Sequence, residues 1–111
     1  MSVSGGNLFS AIRPDAPDEE IRELLMLPGV RIERIVSTGQ SSPEGFWYDQ
    51  DFAEWVVLLV GAAQVSIEGE ESPRLLGAGD YLFIPARTKH RVDWTDPSDA
   101  TIWLAIHLAA V

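Results

Sequence analysis

At 111 residues, 46% of them apolar, the chain is long enough to bury one core and too short to build two. Eight Lys and Arg against seventeen Asp and Glu leave a net charge of −9, a field that repels phosphate backbones and anionic lipid and so argues against nucleic acid and membrane surfaces as partners. The absence of cysteine removes a disulfide framework, a thiolate metal site and a cysteine nucleophile.

No apolar run approaches the roughly 20 residues that a helical bilayer crossing needs. The N-terminus lacks a basic stretch followed by an apolar one, so a cytoplasmic location is expected.

In chain order, Met1 to Asn7 is rich in Gly and Ser, and Leu8, Phe9, Ala11 and Ile12 spell a short strand ended by Arg13-Pro14. Ile21, Leu24 and Leu25 at helical spacing predict one or two turns of helix from about Asp18, stopped by Pro28-Gly29. From Val30 the pattern becomes short strands separated by turns. Val30 to Ser37 is apolar at every second or third residue, and Thr38 to Gly45 is a loop. Trp55 to Val60 is a continuous apolar run, turned by Gly61 into an alternating Ala63, Val65 and Ile67. Leu75-Leu76, Tyr81 to Ile84, His90 to Trp94 and Thr101 to Ala109 complete seven or eight strands. The series argues an all-β sandwich or barrel, residues 30–111, preceded by an arm, residues 1–29, with one short helix.

The segment Gly79 to His90, GDYLFIPARTKH, carries the most specific pattern. A Gly-Asp turn leads into an apolar strand, Pro85 ends it, and a polar turn delivers His90 at the start of the next strand. It resembles the second motif of the cupin superfamily, a glycine, five residues, a proline, and a histidine five places on. Arg87 stands where that motif has a second glycine. The end of the first cupin motif is matched by Glu54 and, six residues on, Gly61. Its histidine pair is replaced by Tyr48 and Gln50, or in the longer spacing by Trp47 and Asp49. The resemblance spans roughly Ser41 to His107 and implies a jelly roll that commonly pairs as a homodimer, with Leu8 to Ile12 a candidate addition to the partner's sheet.

Alternate residues of a strand share a face. Tyr48, Gln50 and Glu54 have one parity, and so do His90, Val92 and Trp94. The resemblance implies that these sets converge inside the barrel mouth, where Gln50, Glu54 and His90 are candidate ligands of a divalent Fe, Mn, Ni or Zn ion. Tyr48, Trp94 and His107 are candidate pocket residues. Two readings stay open. A metal would imply dioxygenase, isomerase or lyase chemistry, whereas Gln50, Glu54 and His90 without one form a hydrogen-bonded polar cluster in a pocket that binds or senses a small molecule. A neutral amide in place of an imidazole favours the second.

His107 is either a packed strand residue with one hydrogen bond or a second imidazole in the pocket. Trp47, Tyr48, Trp55 and Trp94 either line the mouth or serve as core and interface residues. Arg87, Lys89 and Arg91 either draw in an anionic ligand or balance nearby acids. No Gly-x-Ser-x-Gly elbow, phosphate loop, dinucleotide fingerprint or His-Glu-x-x-His is present.

Overall fold

The structure is a computed structural model that describes residues 2–109. Met1 and residues 110–111, which the expected arm and barrel boundaries include, lie outside the described residues. Eight strands account for the regular structure: β1 (Glu20–Leu27), β2 (Val30–Ser37), β3 (Ala53–Val60), β4 (Ala62–Ile67), β5 (Arg74–Gly77), β6 (Tyr81–Ile84), β7 (His90–Thr95) and β8 (Thr101–Leu108). They form a five-stranded sheet in the order β1-β2-β8-β3-β6 and a three-stranded sheet in the order β5-β4-β7, every pairing antiparallel. The two sheets close face to face on Val56, Leu58, Ala63, Val65, Leu76, Ile84, Trp103 and Ala105. Each fully buried aliphatic side chain there stabilises the fold by about 1.5–3 kcal/mol.

The expected helix is absent among the described residues, and its place is taken by β1. Pro28-Gly29, read as a helix stop, is instead the turn of a hairpin. Proline presets its own φ, Gly29 takes φ +80°, and Leu27 pairs with Val30. Pairing with β2 overrides the 3.6-residue spacing of Ile21, Leu24 and Leu25, helped by a register shift between Glu23 and Leu25.

Leu8 to Ile12 is not a strand either. It forms a turn whose Leu8 and Ser10 carbonyls accept hydrogen bonds from the Arg34 guanidinium at 3.3 and 2.5 Å. Arg34 is 1% exposed and also meets Glu20 at 2.7 Å, so the arm supplies the partners that a buried cation requires.

Two turns fix the end of the sandwich away from Glu54 and His107. Gly61, between β3 and β4, has φ +99°, and a Cβ there would lie 2.7 Å from Thr101 Cα and 2.9 Å from the Ala100 carbonyl, so only glycine fits. Gly79 opens the turn into β6 with its N–H donating to Leu58 O at 2.7 Å, as the sequence pattern anticipates.

The outward face of the five-stranded sheet is also apolar. Trp55 opposes Phe83 on one side and Ile106 on the other, and Val57 likewise opposes Tyr81 and Leu104. Phe83 is 58% exposed and Tyr81 63%.

Candidate functional site

Between the sheets lies a cavity of about 280 Å³ with an apolar floor that includes Ile35, Val56, Val65, Leu82, Ile84 and Trp103. Its polar wall is built from Tyr48, Gln50, Glu54, His90, His107, Glu19, Arg31 and Glu33. The candidate ligands Gln50, Glu54 and His90 therefore do meet in one space, joined by Tyr48 and His107. Backbone pairing explains the convergence. Tyr48 N–H donates to His90 O at 2.7 Å and His90 N–H to Tyr48 O at 3.1 Å, a two-bond bridge that clamps the loop before β3 onto the first residue of β7. The two rings stack at 5.3 Å with planes 23° apart. The Gln50 carbonyl accepts the Arg87 N–H at 2.6 Å. Arg87 has φ +60°, so the chain keeps the backbone turn that the resemblance assigns to a glycine without keeping the glycine.

Glu54 is the most perturbed group in the cavity. Burial raises its carboxyl from 4.5 to about 7; the charge of Glu33 adds to the rise, and Arg31 partly offsets it. Its Oε1 faces His90 Nε2 at 3.8 Å, within ion-pair range and beyond a hydrogen bond. His90 is turned by its other nitrogen, Nδ1, which lies 2.9 Å from the Thr88 carbonyl. In the neutral ring Nδ1 then carries the proton, and the Nε2 lone pair looks into the cavity. The Tyr48 phenol is raised by burial, then by the charges of Glu19 and Glu54.

His107 satisfies both of its expected descriptions, a packed strand residue with one hydrogen bond that also lines the cavity. Its Nε2 is 2.9 Å from Glu33 Oε1, and its ring stands edge-on to Phe52 at 5.0 Å. Burial lowers its proton affinity more than the Glu33 hydrogen bond raises it. Across the sheet Arg31 pairs with His107 and His107 with Glu54, so three strands deliver a row of polar groups to one end of the barrel.

Glu33, Arg31 and Glu19 were missed from sequence. The signal available was the shared parity of Arg31, Glu33 and Ile35 along β2. Its neighbours Val30, Ile32 and Val36 made the opposite face look like the inner one.

Trp94 does not line the cavity. Gln64 pairs with Trp94 and Val65 with Val92, so Asp93 is an extra residue in β7. This bulge breaks the alternation after His90 and Val92 and turns Trp94 outward, 40% exposed. Trp55 stacks on Tyr81 at 5.5 Å on the outer face, and Trp47 lies under Arg91 at 6.0 Å. Of the four tryptophans Trp103 alone reaches the cavity, its indole N–H donating to Ser37 Oγ at 3.2 Å. The basic group balances acids: Arg87 meets Asp49 at 3.4 Å, Lys89 meets Glu68 at 3.9 Å, and Arg91 meets Asp93 at 3.0 Å.

The donor set fits a resident metal poorly. Among the described residues no group of three or more His, Asp or Glu side chains is arranged to hold an ion. Gln50 offers a neutral amide. Glu54, with its carboxyl raised to about 7, would have to give up a proton to bind an ion at neutral pH.

Comparison with known proteins agrees with the architecture. The cupin domain family matches residues 34–107. A search of curated proteins returns no match. A crystal structure from Ralstonia eutropha JMP134, described as a "putative mannose-6-phosphate isomerase", is 47% identical over 97% of this chain and 100% of its own, with a TM-score of 0.95. At lower identity the likeness is one of fold. An RmlC-like cupin family protein with a double-stranded β-helix fold from Methanocaldococcus jannaschii is 17% identical over 88% of this chain and 86% of its own, with a TM-score of 0.70. A cupin superfamily protein from Desulfitobacterium hafniense DCB-2 is 18% identical over 89% and 84%, with a TM-score of 0.73.

Proposed function

The chain belongs to the cupin family, and on that premise we propose that its barrel cavity binds a small organic molecule on which Glu54, facing His90, takes and returns a proton. The observation that carries this reading is the Glu54 carboxyl, buried in the cavity and raised to about 7. A carboxyl half protonated near neutral pH serves as base in one step and as acid in the next. Removing a proton from a hydroxyl-bearing carbon beside a carbonyl and returning it to the former carbonyl carbon, while the hydroxyl proton passes to the carbonyl oxygen, is isomerase chemistry. The 47% identical relative, described as a "putative mannose-6-phosphate isomerase", supports that class. The Tyr48 hydroxyl and Gln50 amide are the groups that would hold the carbonyl oxygen, and the apolar floor would exclude water.

The test is proton exchange. Candidate hydroxyaldehydes and hydroxyketones are incubated with the protein in deuterated water, and deuterium at the carbon beside the carbonyl is followed by NMR. Glu54→Gln is expected to slow incorporation by at least about 100-fold. Ligand binding without any exchange would replace catalysis by a binding or sensing role.

The competing reading is a divalent ion held by Gln50, Glu54 and His90. It would be adopted if untagged protein carries near-stoichiometric Fe, Mn, Ni or Zn that Glu54→Ala and His90→Ala both lose.

We also propose a homodimer that covers the outer face of the five-stranded sheet, supported by the apolar set of Trp55, Val57, Leu104, Ile106 and the exposed Phe83 and Tyr81. Among the described residues no helix is long and apolar enough to cross a membrane. A cytoplasmic setting is part of the proposal.

A further inference from the structure

The proposed reading leaves the charge of the ligand open, and the cavity wall bears on it. Glu19, Glu33 and Glu54 face the same space, and one cation, Arg31, reaches it with them. That guanidinium is ion-paired within the wall: its buried Nε, which has no hydrogen-bond partner among the described residues, is 3.5 Å from Glu33 Oε2, and its Cζ sits 5.5 Å over the Phe52 ring. Glu33 further accepts His107 Nε2, so the carboxylate that neutralises Arg31 is itself fixed by a second contact. Glu19 takes only the Ser37 hydroxyl, at 2.8 Å, which supplies no positive charge. Glu54 has the imidazole of His90 at 3.8 Å. The histidine side chain is 8% exposed, and its Nε2 faces the cavity with Nδ1 already spent on Thr88.

Outside the wall, the basic residues nearest the mouth are also committed. Arg87, Lys89 and Arg91 each pair with a carboxylate, and none of the three lines the cavity. The sites that bind phosphate elsewhere use a free guanidinium or ammonium, or a fan of backbone N–H groups at a helix start. The one guanidinium of this cavity, Arg31, is shared with Glu33, and no helix start faces it among the described residues. An entering phosphate would meet Glu19 and Glu33, with Glu54 charged only in part near neutral pH, across an apolar floor where like charges are poorly screened. A hydroxylated molecule meets donors and acceptors in Tyr48, Gln50 and His90, and an ammonium meets carboxylates together with the faces of Tyr48 and Trp103.

We infer that this cavity takes an uncharged or cationic small molecule and excludes phosphorylated and carboxylated ones, phosphosugars included. The inference rests on the small-molecule reading above and narrows it, separating this chain's substrate class from the phosphosugar named for its 47% identical relative. The volume of about 280 Å³ lies near the small end of the range that small-molecule pockets span.

The chain has two histidines, and both line the cavity, so their imidazole proton resonances report occupancy without a label. Two matched sets are titrated at pH 7.5: mannose, mannosamine and mannose 6-phosphate; and glycerol, 2-amino-1,3-propanediol and glycerol 1-phosphate. In the set that binds, the phosphate is expected to be at least about tenfold weaker than the better of its two analogues. Glu33→Gln with Glu54→Gln is expected to shrink that gap, and Glu19→Gln to shrink it in part should the double variant not fold. A phosphate that binds as tightly as its analogues overturns the inference and leaves the binding reading standing. Silence from all six probes overturns the small-molecule reading and the inference with it.

Discussion

Replacing Glu54 by glutamine keeps the shape of the side chain and removes its ability to ionise. In the folded protein burial holds the carboxyl at about 7 against an ordinary 4.5. At about 1.4 kcal/mol for each tenfold change in proton affinity, the folded state is penalised by roughly 3 kcal/mol once Glu54 must ionise. The sign follows from which state holds the proton. Below pH 4.5 both folded and unfolded chains are protonated and there is no penalty. Between 4.5 and 7 the unfolded chain releases its proton while the folded one keeps it, so stability falls as pH rises. Above 7 the full penalty is in place.

Glu54→Gln should therefore match the parent protein near pH 4 and exceed it by roughly 3 kcal/mol at pH 8. Urea unfolding at half-unit steps from pH 4 to 9, on both proteins, measures the difference directly. Titratable groups remote from Glu54 are common to both proteins and cancel in it. A difference that does not change with pH, or a parent more stable than the variant at pH 8, would refute the claim that this carboxyl is buried without adequate compensation.

Three further outcomes test the fold around the site. Gly61→Ala combines a left-handed backbone with a Cβ driven against the Thr101 backbone, and it should lose about 3 kcal/mol in urea unfolding; a loss under 1 kcal/mol would mean the β3–β4 turn can move. Trp94→Ala should leave the His90 and His107 imidazole resonances in place, since the bulge at Asp93 points the indole outward, while Tyr48→Leu removes a ring stacked on His90 and should move that resonance. Phe83→Glu puts a charge on the proposed dimer face, so light scattering should read about 24 kDa for the parent and about 12 kDa for the variant; a parent of about 12 kDa would remove the dimer.

The parts of the fold that could be read from sequence were those marked by glycine and proline. Gly61, Gly79 and Pro85 break the apolar runs at places where no other residue supplies the needed backbone, and the strands fell between them. Tyr48, Gln50 and Glu54 do line one space, although bends at Asp51 and Phe52 interrupt the alternation between Gln50 and Glu54. Two errors came from pairing, which a single strand does not encode. Ile21, Leu24 and Leu25 spell a helix locally, yet β2 offers β1 a ladder of hydrogen bonds that the local pattern does not record. Trp94 shares parity with His90 on paper, but the register against β4 skips Asp93. Glu33 was hidden for a third reason. With apolar residues on both faces of its sheet, the apolar rows of β2 do not say which side is inside, and the row with Arg31 and Glu33 is the one that lines the cavity.

The arm anchored on Arg34 sets a limit on where the chain can be shortened. Removal through Asn7 takes away residues that are exposed and carry no strand. Removal through Ser10 strips two carbonyl acceptors from a guanidinium that is 1% exposed, leaving Glu20 as its remaining partner. An affinity tag or a fluorescent fusion therefore belongs ahead of Asn7, and a truncation library would show a step in soluble yield between residues 7 and 10, set by a single buried arginine.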